Sequence, residues 1–186
     1  SPVPQVGHIY GLGVAGYWGS TIEIEAVVHP LGNREKGTIH FNDTAGSMAR
    51  DSVTNASSVV RMITGKNLSD YDVHVNVVGG GNIDGPSAGA AITCAIISAL
   101  TGKPLRQDIA VTGEISLSGR IKPVGGIAEK AFGAHQGGMK AILIPKQNAL
   151  DMGSEYMHMK VIPVDTIQDI LEHMLVRKKQ KMKGSK

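Results

Sequence analysis

Ser87 is the residue whose setting first suggests chemistry. It stands in Asp84-Gly85-Pro86-Ser87-Ala88-Gly89, just after the glycine-rich Gly79-Gly80-Gly81 and at the start of an apolar run that reads as a helix. Backbone N–H groups in the first turn of a helix have no intrahelical partner. They can hold an anion, including the oxyanion formed when a serine attacks a carbonyl, and the small Ala88 and Gly89 leave room for a substrate. The same pattern suits an ordinary N-terminal turn, where Ser and Asp are favoured caps, and it also suits phosphate binding. A serine hydroxyl is a weak nucleophile without a base, so hydrolysis requires a second residue.

No Gly-x-Ser-x-Gly surrounds Ser87, and none of the seven histidines sits in a comparable local motif, so a Ser-His-Asp arrangement has little support. A lysine is the simpler partner. Lys130 follows Gly125-Gly126, which open its helix, and Ile127, Ala131 and Ala134 offer apolar surroundings that could desolvate its amine. To serve as a base near neutrality its pKa must fall from about 10.4 by roughly 3, a preference of about 4 kcal/mol for the neutral amine. Without burial, Lys130 is a surface helix lysine paired with Glu129. No His/Cys/Asp cluster suggests a metal site, and no metal is expected.

The elements that must position these residues follow from periodicity. Thr21 to Val28 alternates, with Ile22, Ile24, Ala26 and Val28 on one face and Glu23 and Glu25 on the other, which predicts a strand. A turn at Leu31-Gly32-Asn33 and a short strand near Thr38 to Phe41 lead to a helix capped by Asp43 or Thr44. Its apolar positions include Met48, Val53, Ala56, Val59, Val60 and Ile63, and Gly65 ends it. Asp72 to Val78 alternates again, and the helix carrying Ser87 is expected from about Pro86 to Leu100. Ile109 to Ile115 and Leu117 to Ile121 read as strands around a tight turn, before the helix of Lys130, which runs through His135. Ala141 to Ile144 and Val161 to Val164 read as short buried strands, and a last helix spans about Thr166 to Val176. Strands and helices alternate without strict βαβ regularity, which predicts a mixed α/β domain (α+β-like) with helices packed on a mixed sheet, not a doubly wound parallel fold.

A chain of 186 residues with 41% hydrophobic content can bury one sizeable core, so residues 1–176 are expected to form one domain followed by a basic, disordered tail, 177–186. The tail supplies six of the positive charges and no acid, so a formal charge of +3 leaves −3 on the rest, and no specific nucleic-acid partner is expected. The lone Cys94 excludes an internal disulfide and fits a reducing compartment, with the cytoplasm as the default. The longest uncharged apolar stretch, Ala88 to Leu100, falls short of the roughly 20 residues that span a bilayer, and no charged-then-apolar leader opens the chain.

Read together and in order, DGPSAGAA, AVTGEISLSGRIKPVGGIAEK and GGMKAILIPKQN resemble the proteolytic domain of Lon proteases over roughly residues 8 to 175. Ser87 and Lys130, 43 positions apart, have the spacing of that family's dyad. The resemblance implies the Lon protease domain fold, with Ser87 as nucleophile and Lys130 as general base, and Thr112 as the hydroxyl that orients the lysine. It also implies Glu25 as an acid near the site, Asp84 as the acid before Gly-Pro-Ser, and the backbone of Gly85, Pro86 and Ser87 as the oxyanion-holding segment. One departure is His74-Val75-Asn76, where many members have His-x-His.

Family membership would imply a serine endopeptidase acting on unfolded, damaged or regulatory proteins, joined in full length to an AAA+ ATPase and assembled as a homo-hexamer. No Gly-x-x-x-x-Gly-Lys-[Ser/Thr] loop occurs here, since Gly65-Lys66-Asn67 and Gly102-Lys103-Pro104 lack the hydroxyl residue. No cofactor is therefore expected in this domain, with ATP and Mg needed only by an associated ATPase. Two alternatives stay open: a small-molecule kinase whose Gly/Ser-rich loop cradles a nucleotide phosphate, and an inactive Lon-like assembly module.

Overall fold

The computed structural model describes residues 2–15, 18–32, 36–42, 47–79 and 85–176. The expected caps Asp43 and Thr44, together with Asn33, Gly80, Gly81, Asp84 and the tail 177–186, lie outside the described residues.

β1 (His8–Ala15) and β2 (Trp18–Pro30) form the longest antiparallel pair. The short β3 (Ile39–Phe41) precedes α1 (Ser47–Thr64), and β4 (Tyr71–Val78) follows. A 3₁₀ turn, Gly85–Ala88, leads into α2 (Gly89–Thr101). Then come β5 (Ile109–Val111), the two-stranded hairpin β6 (Glu114–Ile115) and β7 (Ile121–Lys122), and α3 (Ile127–Gln136). The chain ends with β8 (Ala141–Pro145), α4 (Lys146–Ala149), β9 (Glu155–Tyr156), β10 (Met159–Val164) and α5 (Ile167–Met174).

Among the described residues, eight strands form one sheet in the order β3-β4-β2-β1-β5-β8-β10-β9. β1, β5, β8 and β10 run parallel as neighbours, while β2 is antiparallel to both β1 and β4, so the sheet is mixed as expected. Each face carries a core. On one side Ile9, Ile22, Ile24 and Val111 pack with Val59 and Val60 of α1, Ile92 and Ile96 of α2, and Ile167 and Ile170 of α5. On the other, Leu12, Ala110, Ile142 and Ile144 pack with Ala131 and Ala134 of α3. This division follows from strand alternation: Ile109 and Val111 point one way and Ala110 the other.

α2 is buried almost all round, which explains a sequence rich in Ala and Ile with no charge. Cys94 lies fully inside it, and burial pushes its thiol pKa well up. No helix among the described residues is long and apolar enough to cross a membrane.

Four expectations need correction. The strand expected from Leu117 to Ile121 is a turn over residues 117–119 ahead of β7. The helix expected from Pro86 begins as a 3₁₀ turn and becomes α-helical only at Gly89, because the backbone there bonds to another segment. The strand expected from Ile109 to Ile115 is two strands in different sheets, separated at Thr112-Gly113. β1 was not anticipated, since Gly11 and Gly13 interrupt its apolar alternation.

Candidate active site

The break in the β5–β6 segment and the delayed start of α2 have one cause. Gly113 N–H donates to the Ser87 carbonyl at 3.0 Å, and Ala90 N–H donates to the Gly113 carbonyl at 3.1 Å. These two bonds clamp the turn before α2 onto the end of β5. A side chain at Gly113 would collide with Ile121 Cγ2, so the clamp requires glycine. Thr112 continues the β5 ladder by donating its N–H to the Leu143 carbonyl at 3.1 Å. Ser87 and Thr112 are therefore held side by side in the backbone network.

Lys130 comes from the opposite face. Gly126 adopts φ 67° at the start of α3, a left-handed conformation that suits glycine, and its carbonyl accepts from Lys130 N–H at 2.9 Å. The helix crosses β2 with no side chain between the backbones: an added Cβ on Gly19 would run into the Glu129 carbonyl, and one on Gly133 into the Gly19 carbonyl. Such contact lets α3 sink toward the sheet, and Lys130 is 0% exposed while Glu129 is exposed. Lys130 is thus not the surface lysine that its neighbour Glu129 would have suggested.

The sheet register sets these segments at one end of the sheet. Gly11 pairs with Val111, which sets Thr112 level with Leu12, and Val14 pairs with Gly19, where α3 crosses. A Cβ on Gly126 would touch Val14. The starts of α2 and α3 thus approach the same end of β1 and β5 from the two sides of the sheet, one carrying Ser87 and the other Lys130. Ser87 is 4% exposed and Thr112 0%. Ser87 Oγ and Thr112 Oγ1 are buried with no hydrogen-bond partner among the described residues. Native interiors seldom leave hydroxyls in that state, and functional sites are where they do.

The other expected residues fare differently. Glu25 is exposed and pairs with His8 at the far end of β1, four positions along β2 from the level of Thr112, or about 13 Å at strand rise. The structure does not bring it to Ser87. Asp84 lies outside the described residues. Of the backbone groups expected to hold an oxyanion, Pro86 has no N–H and cannot donate; the amides of Gly85 and Ser87 remain. Trp18, 68% exposed, packs against Phe132 of α3 beside the Gly19 crossing and was not singled out by sequence, because a lone aromatic at a strand start carries no motif.

The expectation that no His/Cys/Asp cluster exists is also corrected. His40, Asp72 and His74 offer ligand atoms that all lie within 4.8 Å of one another. Asp72 and His74 share one face of β4, and the pairing of β3 with β4 brings His40, distant in sequence, to them.

A family description, the Lon protease (S16) C-terminal proteolytic domain, matches residues 2–177. The chain is similar to an archaeal Lon protease of Pyrococcus abyssi, 35% identical over 182 residues that cover 95% of this chain and 18% of that protein. It is 37% identical over 182 residues to an archaeal Lon protease of Archaeoglobus fulgidus, covering 95% of this chain and 29% of that protein. With Lon protease 2 of Bacillus subtilis the identity is 39% over 188 residues, covering 93% of this chain and 34% of that protein. The chain thus spans from under a fifth to about a third of the length of these curated relatives.

Proposed function

The chain belongs to the Lon protease (S16) proteolytic-domain family, and we propose that it is a serine endopeptidase domain in which Ser87 is the nucleophile and Lys130 the general base. The observation that carries this reading is the complete burial of Lys130 on α3, at the end of the sheet where Ser87 and Thr112 are clamped together. Burial in an apolar setting disfavours an ammonium ion, which is what a lysine base needs.

In the proposed cycle Lys130 Nζ takes the Ser87 hydroxyl proton as Ser87 Oγ bonds to the peptide carbonyl carbon. The amides of Gly85 and Ser87 stabilise the oxyanion. The C–N bond then breaks, the lysine proton passes to the departing amine, and an ester to Ser87 remains. Lys130 next deprotonates a water that attacks the ester, releasing the acid and restoring the serine. Thr112 Oγ1 orients the amine. Glu25 has no part in this cycle, and Asp84 is left as an acid preceding the nucleophile turn.

The substrates in this reading are unfolded, damaged or regulatory proteins, delivered in the cytoplasm by an AAA+ ATPase segment of a longer, hexameric enzyme. ATP and Mg2+ belong to that segment, and no step here is routed through them.

The test is hydrolysis of a fluorescently labelled unfolded protein by the chain, by Ser87→Ala and by Lys130→Met, with folding checked by circular dichroism and assembly by solution mass. Either substitution is expected to lower turnover at least about a thousandfold. Turnover should rise with pH across the neutral to alkaline range, as the lysine loses its proton. Undiminished turnover in either folded variant overturns the assignment.

A further inference from the structure

We propose that His40, Asp72 and His74 form a binding site for a divalent transition-metal ion, with zinc the best fit, on the exposed face of the β3–β4 edge. β3 runs parallel to β4 with His40 opposite His74, and Asp72 lies two residues before His74, hence on the same face of the strand. One carboxylate oxygen faces each imidazole: His40 Nε2 lies 3.4 Å from Asp72 Oδ1, and His74 Nε2 lies 4.0 Å from Oδ2. Ligand atoms bound to zinc at about 2.0–2.2 Å in tetrahedral geometry stand about 3.4 Å apart. The first separation already matches; the others lie within 4.8 Å, and because the His40 and His74 rings stack face to face, with centroids 4.6 Å apart and planes 14° apart, binding requires one exposed ring to turn out of the stack.

The ligand chemistry narrows the ion. Two imidazoles and one carboxylate suit zinc and its neighbours, whereas calcium and magnesium prefer oxygen-only sets. Thr38 supplies the outer support such sites need: its N–H and its hydroxyl both donate to Asp72 Oδ1 at 3.3 Å. His29, on β2 opposite Asp72, has its ring 6.2 Å from that of His74.

The competing state is a hydrogen-bonded group without metal, in which His40 Nε2 and the Thr38 hydroxyl share a contact of 2.7 Å that coordination would have to displace. Asp72 and His74 sit in the half of β4 away from the segment leading to Ser87, so the site is separable from peptide hydrolysis. A bound ion would cross-link the three-residue edge strand β3 to β4.

The experiment is calorimetric titration of Zn2+ into the chelator-treated chain, with Co2+ absorption as a reporter of geometry and thermal melting as a second readout. The proposal predicts saturation at one equivalent, a tetrahedral Co2+ spectrum and a higher Tm with Zn2+. His40→Ala, His74→Ala and Asp72→Asn should each weaken binding at least about tenfold, while His173→Ala, on α5, should leave it unchanged. Asp72→Asn retains an acceptor for Thr38 and keeps the test sound if either alanine variant disturbs the edge. The absence of saturable binding, or binding undiminished in the folded variants, overturns the proposal and leaves the cluster as a set of hydrogen bonds and ion pairs only.

Discussion

Among the described residues Lys130 heads the fully buried side chains by volume, in a residue class that is seldom buried. Its helix sequence, Ile127-Ala128-Glu129-Lys130-Ala131, suggested a base only through the family resemblance and its spacing from Ser87. The burial arises from the glycine crossing, a contact between residues more than a hundred positions apart, and no local pattern records it. The candidacy of Ser87 could be drawn from a local motif, whereas Glu25 entered only through the resemblance, and the strand register that sets it four residues along β2 from the level of Thr112 is not visible in the sequence. Thr112 gives the sharpest test at this scale. Thr112→Val keeps the buried volume and removes the hydroxyl, and should lower kcat about ten- to a hundredfold while moving the pH profile; Thr112→Ser should restore most of both. Unchanged kinetics in Thr112→Val would remove the positioning role.

Strand alternation identified β2 and β4 well, because each buries one face and exposes the other. The split of β5 from β6 escaped notice, since Ile109 to Ile115 is apolar enough to read as one strand and the cause, the clamp on Gly113, is a tertiary bond. The packing of α3 predicts that Gly133→Ala drives a methyl group into the backbone of Gly19 and Ser20. Denaturant unfolding should show a loss of at least about 1–3 kcal/mol, and turnover should fall with the displacement of Lys130. At α5, Thr166 Oγ1 accepts from Asp169 N–H, and Asp169 Oδ2 accepts from Thr166 N–H and Asp165 N–H, a capping box. Those backbone bonds, that from Asp165 first, hold the Asp169 carboxyl below its ordinary pKa. The contribution is therefore present above the unfolded-state value of about 3.9 and is lost as pH falls through the lower folded value. Asp169→Asn should cost about 1 kcal/mol near neutrality, with the difference from the parent shrinking below about pH 4; a difference independent of pH would deny the carboxylate its role.

Across the whole molecule, one sheet separates two cores, and the candidate site lies at the end of β1 and β5 that α2 and α3 approach from the two sides. The mixed α/β class was readable from the order of elements, whereas the strand order was not, because β1 pairs with β5 across α1 and α2. The His40–Asp72–His74 group belongs to the same category: register creates it. Since the two cores share β1, β5, β8 and β10, Ile96→Ala on one side and Ile144→Ala on the other should each cost about 2–5 kcal/mol and lower the midpoint of a single cooperative transition. A melt that splits into two steps for either variant would show that the faces unfold separately.

The buried thiol of Cys94 makes the chain, for the labelling chemist, a cysteine-free background supplied by nature. A single cysteine introduced at the 83% exposed Leu150 would then be the one reactive handle on the protein. A fluorophore or spin label placed there would report neighbour distances within any ring the chain joins, without a residue of the interior having to be changed first.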